Sequence, residues 1–117
     1  MCIFCNIKEV NKDIPGNIIF EDDSVIAFHN IYPLAPVHVL VVPKKHIETV
    51  NDLQDDEEVL VGHMVLVAKK IAKDLQISEK GYKLIFRVGE WGGQEVEHIH
   101  LHILGGAKLH EDIRVSV

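Results

Sequence analysis

Apolar residues recur along this chain with two different periods, and the change from one to the other marks out its elements. Asn17 to Glu21 and Ser24 to His29 are short β-rich runs joined by the acidic turn Glu21-Asp22-Asp23, the pattern of a hairpin. His38 to Val42 is an almost continuous apolar run closed by Pro43, which suits a buried strand. Lys83 to Val88 and Glu97 to Leu104 predict a second antiparallel pair. Between these groups, Leu60, Met64, Val67, Ile71 and Leu75 recur every three or four residues and make one apolar stripe, so this segment is a helix with Met64 as core filler. Asp55 and Asp56 are expected to cap it, Glu57 and Glu58 suit its positive end, and Lys69, Lys70 and Lys73 suit its last turns. Turn signals fall at Pro15-Gly16, Tyr32-Pro33, Gly92-Gly93 and Gly105-Gly106. The order of three strands, a long helix and two strands predicts an α+β domain over residues 1–117: a five-stranded antiparallel sheet with the helix on one face.

The bulk properties narrow the function. A length of 117 residues with 47% apolar content is enough for one core without disulfide support. The net charge of −6, with no basic run, argues against binding the backbone of a nucleic acid polymer. A single nucleotide stays open as a ligand, because one phosphate needs only local donors. No apolar stretch has the length of a bilayer span, and no export signal is visible at the start. The expected location is therefore the cytoplasm, with no membrane partner.

The densest chemistry lies in His98-Ile99-His100-Leu101-His102-Ile103-Leu104. In an extended backbone His98, His100 and His102 share one face, and Ile99, Leu101 and Ile103 share the other. Three imidazoles side by side are costly to bury unpaired, so that face is expected to meet a metal, an anion or a reacting group. Gly92-Gly93-Gln94-Glu95 lies just upstream. Glycines let backbone N–H groups approach an anion closely, and Gln94 is expected to add an amide donor. Donors for charged oxygens beside a nucleophile are what attack on phosphorus needs. A zinc hydrolase or lyase with histidine ligands is the alternative from the same residues. A nucleotide-binding regulatory or partner-binding module with little catalysis is another. His29, His63 and His110 are assigned no chemistry.

The run His98 to Gly106 with its Gly92-Gly93-Gln94 lead resembles the histidine-triad (HIT) nucleotide-binding family, in particular its Hint-like branch. The resemblance extends through Ile3-Phe4, Ile14-Pro15, Ile19 to Asp23, Ala27 to Ile31, Ala35 to His38 and Val42 to His46, in the family's order. It implies a homodimer with one continuous ten-stranded sheet. It implies hydrolysis of purine nucleoside phosphoramidates or aminoacyl- and lysyl-nucleotides to a nucleoside monophosphate. His100 would attack phosphorus and form a covalent nucleotidyl-histidine that water then releases. His102 and the backbone near Glu95 would hold phosphate oxygens, and His38 and His98 would orient the nucleophile. Ile3, Phe4, Ile7, Ile14, Phe28, Ile31 and Leu40 match positions around the base and ribose, with Gly93 and Gln94 on the phosphate side. Asn30 stands where the family usually has an aspartate for the ribose hydroxyls. Arg87 stands where an asparagine usually touches the phosphate side, and is expected to add a cation there. Glu95 replaces the serine of some relatives, and the tail from Leu109 to Val117 differs from the branch's animal members.

Cys2 and Cys5 form a C-x-x-C half-site that reads as part of a metal site or a redox pair. Some relatives hold a structural zinc with this pair, a histidine matching His46 and the first histidine of the triad. The resemblance therefore implies one structural zinc on Cys2, Cys5, His46 and His98, and no organic cofactor.

Overall fold

A computed structural model describes residues 17–116. Five strands form one antiparallel sheet: β1 (Ile18–Glu21), β2 (Val25–His29), β3 (Val37–Pro43), β4 (Lys83–Phe86) and β5 (Leu101–Gly105), in the spatial order β1-β2-β3-β5-β4. One long helix, α1 (Glu58–Asp74), lies between β3 and β4 in sequence. Among the described residues the α+β class, the five strands and the one long helix are those the apolar pattern predicts.

Alternation in the strands divides the sheet into two faces. Val25 and Ala27 of β2, Val39 and Val41 of β3, and Leu101 and Ile103 of β5 join Met64, Val67, Ala68, Ile71 and Ala72 of α1 in the main core. Ile26, Phe28, Leu40 and Val42 make a smaller buried cluster on the other face. The register places Leu40 opposite both Phe28 and His102, so the reactive face has an apolar floor. The turn before β2 is tied to the helix by His63, whose Nε2 lies 2.6 Å from Asp22 Oδ2. Asp22 also accepts from the backbone N–H groups of Ser24 and Val25, which closes the hairpin turn.

Three local expectations are corrected. The segment expected as a strand from Glu97 enters the ladder only at Leu101. Its backbone is diverted first: the His98 N–H donates to Val96 O at 2.8 Å, and the Ile99 N–H to Ile47 O at 2.7 Å. β4 correspondingly ends at Phe86, opposite Leu101, and not at Val88. Asp55 and Asp56 do not cap α1; they lie in a 3-10 turn (Asp55–Glu57) that runs into it. That turn is held by the Gln54 N–H, which donates to Glu57 Oε1 at 2.7 Å, while Lys45 pairs with the same carboxylate.

Ile103 is wholly buried between sheet and helix. Ile103→Ala is expected to lower the unfolding free energy by about 2–5 kcal/mol, read from urea denaturation, because the layers cannot close over the lost volume.

Candidate active site

β3 and β5 are neighbours in register, so His38 and His102 arise on adjacent strands with side chains on the same face. They line a cleft of about 410 Å³ together with His100. The connection from β2 to β3 contributes Asn30, Ile31, Tyr32 and Leu34, and β3 adds Leu40. Arg87, Gly93, Glu95 and Val96 come from the segment between β4 and β5.

The hydrogen bonds determine where each imidazole carries its proton. The Leu34 N–H donates to His38 Nδ1 at 3.1 Å. The His38 proton is then on Nε2, which donates to His102 Nδ1 at 2.9 Å. His102 in turn carries its proton on Nε2, a buried atom with no hydrogen-bond partner. A buried donor of this kind costs stability unless an acceptor enters the cleft. The His100 Nδ1–H donates to the His98 carbonyl oxygen at 2.7 Å, which leaves the lone pair on Nε2. The rings of His100 and His102 lie 4.9 Å apart, so a lone pair and an N–H donor occupy one site.

Both rings are held neutral. Burial pushes the His100 pKa down, the Arg87 guanidinium opposes its protonation, and the His98 carbonyl and Glu95 partly offset these effects. Burial, with the charges that His100, His38 and Arg87 would place beside it, pushes His102 down to about 3. His38 is lowered in the same direction, first by burial and then by Arg87. A neutral imidazole with a fixed tautomer is the form that attacks an electrophile.

His98 faces away from this cleft. Its Nε2–H donates to Pro43 O at 2.8 Å, which leaves Nδ1 unprotonated, and burial lowers its pKa. That Nδ1 lies 3.1 Å from Nδ1 of His46. Two ligand nitrogens on one tetrahedral zinc lie roughly 3.3 Å apart, given Zn–N bonds of about 2.0–2.1 Å, so the two rings fit a shared metal. The carbonyl that orients a ring is the usual outer partner of a histidine ligand.

The structure thus brings together His38, His100, His102, Asn30, Ile31, Leu40, Arg87, Gly93 and Glu95 of the sequence-predicted residues. Gln94 is corrected: its side chain accepts from the Gly89 N–H and donates to the Glu48 and Val96 carbonyls, so it braces the loop and is not aimed at the cleft. His98 acts through its carbonyl on His100 and not as a group facing the cleft. Phe28 is wholly buried beside Leu40, its cross-strand partner, and does not line the cleft. Cys2, Ile3, Phe4, Cys5, Ile7 and Ile14 lie outside the described residues. Tyr32, Leu34 and Val96 line the cleft without having been singled out. Their signal was slight, although Tyr32 and Leu34 flank the Tyr32-Pro33 turn just before His38. The Gly-Gly pair is explained by space. A Cβ on Gly92 would lie 2.3 Å from Val88 O, and Gly93 has φ +83 with Arg87 Nη1 beside it.

A HIT domain model matches residues 11–109. The chain belongs to the HIT family. It is 47% identical over 102 residues to the purine nucleoside phosphoramidase of Escherichia coli K12, covering 87% of this chain and 86% of that protein. The crystal structure of a HIT family hydrolase from Legionella pneumophila superimposes with a TM-score of 0.89 at 46% identity, covering 96% of this chain and 98% of that one. A histidine triad protein from Clostridium difficile superimposes with a TM-score of 0.86 at 47% identity, over 93% of each chain. The HIT fold here carries its triad with one ring, that of His98, turned toward His46 and two in the cleft.

Because His38 and His102 are neutral when folded and titrate near 6.5 when exposed, the unfolded chain binds more protons below that pH. Stability is expected to be insensitive to these groups above pH 7 and to fall as pH drops from 6.5 toward 5, where most carboxylates remain ionised. In urea titrations across that window, His102→Gln is expected to reduce the slope by up to about 1.4 kcal/mol per pH unit.

Proposed function

We propose that this HIT protein hydrolyses purine nucleoside phosphoramidates, or aminoacyl- and lysyl-nucleotides, through a covalent nucleotidyl-histidine on His100. The observation that carries the reading is the pairing of a lone pair on His100 Nε2 with the unpartnered N–H of His102 in one cleft. His100 Nε2 attacks phosphorus, and the His98 carbonyl stabilises the positive charge that develops on the ring. His102 donates to a phosphoryl oxygen, and Arg87 supplies a cation for the same group. The P–N bond breaks as the leaving nitrogen takes a proton from solvent (in an aminoacyl-nucleotide the P–O bond breaks and the carboxylate departs). Water then attacks phosphorus, gives up a proton to solvent, and breaks the His100–phosphorus bond to release the nucleoside monophosphate and the neutral ring. Ile31 and Leu40 offer apolar walls for a base, and Asn30 an amide for ribose hydroxyls. The name of the Escherichia coli relative and the hydrolase family of the solved structures support the reaction class.

The test is AMP release from adenosine 5′-phosphoramidate in the presence of chelator. His100→Ala is expected to lose about 10³-fold or more in kcat/KM, and mass spectrometry of quenched wild-type protein to find a nucleotidyl adduct. Turnover that persists in His100→Ala refutes the assignment.

The same reading includes a structural zinc on Cys2, Cys5, His46 and His98, supported by the approach of the two imidazole nitrogens. Held by four protein ligands, such a metal would have no open position for substrate and would serve structure, not the reaction. Protein purified without chelator is expected to hold about one zinc per chain, and less than about a tenth of an equivalent refutes the site. A homodimer is supported by β4, which has a neighbour on one side only, and by the exposed stripe of Val59 and Leu66 on α1. Pairing of two β4 edges would continue the sheet through ten strands. Among the described residues no helix is long and apolar enough to cross a membrane, in keeping with a cytoplasmic location.

A further inference from the structure

Glu95 is an exposed residue in the wall of the cleft that holds His38, His100 and His102. Its negative charge reaches His100, where it favours protonation of the ring. Arg87 lines the same cleft, yet the two side chains form no ion pair. The nucleophile does not need this carboxylate, because it works in the neutral form and its tautomer is set by the His98 carbonyl.

A carboxylate placed beside a phosphoryl group opposes the binding of that group, since like charges in one cleft repel. The other parts of a nucleoside phosphoramidate already have suitable surroundings. Ile31 and Leu40 suit a base, Asn30 the ribose, and Arg87 with His102 the phosphoryl oxygens. The base, the ribose and the phosphoryl group carry no positive charge for a carboxylate to meet. The remaining part of the substrate is the leaving amine, the one end on which a positive charge is common.

We propose that Glu95 is a specificity residue for the leaving group, favouring phosphoramidates whose departing amine carries a second, cationic nitrogen. The assignment rests on the phosphoramidase reading above and adds the chemical class of amine to it. The carboxylate acts as an exposed charge in the wall of the site: it attracts a cationic tail, leaves a neutral one unassisted and repels an anionic one. The same physics makes the preference sensitive to ionic strength, because an exposed pair is screened.

The experiment uses three adenosine 5′-phosphoramidates that share the nucleotide and differ in an alkylamine leaving group of matched length. One ends in a methyl group, one in a second amine and one in a carboxylate. The ratios of kcat/KM are measured for the wild type, Glu95→Gln, Glu95→Asp and Glu95→Lys. The wild type is expected to prefer the diamine derivative over the carboxylate one. Glu95→Gln is expected to shrink that ratio by about three- to tenfold, Glu95→Asp to retain its direction, and Glu95→Lys to invert it. Added salt is expected to shrink the wild-type ratio and not that of Glu95→Gln. Ratios that are the same in wild type and Glu95→Gln overturn the proposal. So does a change in the adenosine-to-guanosine preference with no change in the amine preference, which would assign Glu95 to the base. If the wild type turns over none of the three, the phosphoramidase reading fails and the Glu95 assignment falls with it. If all three react with ratios indifferent to charge, only the Glu95 assignment falls.

Discussion

A backbone N–H at Leu34 holds the reactive cleft in one protonation pattern. By donating to His38 Nδ1 it forces the His38 proton onto Nε2, and the next contact forces the His102 proton onto Nε2 in turn. A second backbone group, the His98 carbonyl, fixes His100 with the opposite tautomer. The cleft therefore presents one unprotonated nitrogen and one N–H, although the two side chains are chemically identical. The arrangement requires neutral rings, and burial together with the Arg87 guanidinium keeps them neutral.

The fold serves this pattern by giving the sheet two unlike faces. Helix α1 covers one face with Met64, Val67, Ala68, Ile71 and Ala72, and so buries the apolar side of β2, β3 and β5. The opposite face is only partly filled, by Ile26, Phe28, Leu40 and Val42, and the histidines rise beside this patch. The pairing of β3 with β5 is the critical register, since it sets Leu40 against His102 and puts His38 one pleat along on the same face. A slip of one residue would send His38 and His102 to opposite faces and break the relay.

The triad itself is split between two tasks. Diversion of the backbone at His98 and Ile99, before the ladder begins at Leu101, turns the first ring toward Pro43 and His46 while its carbonyl faces His100. The strict period-two reading of residues 98–102 was therefore right for the apolar side chains of Leu101 and Ile103 and too simple for the rings. Gln94 follows the same logic. Its amide was legible as a donor, but whether it would meet a ligand or its own loop depended on the Glu48 and Val96 carbonyls, which only folding brings close.

The class of the fold, the five strands, the helical stripe and the reactive histidines were all determined by local sequence, because they rest on the side-chain period and on residue chemistry. The contact of His38 with His102, the tautomer of each ring, the direction of His98 and the charge of Glu95 beside His100 were decided by tertiary structure alone. They depend on hydrogen bonds and charges between segments tens of residues apart, such as the contact of His38 with His102 across two strands. A one-dimensional pattern carries the identity of such groups but not which of them will face one another.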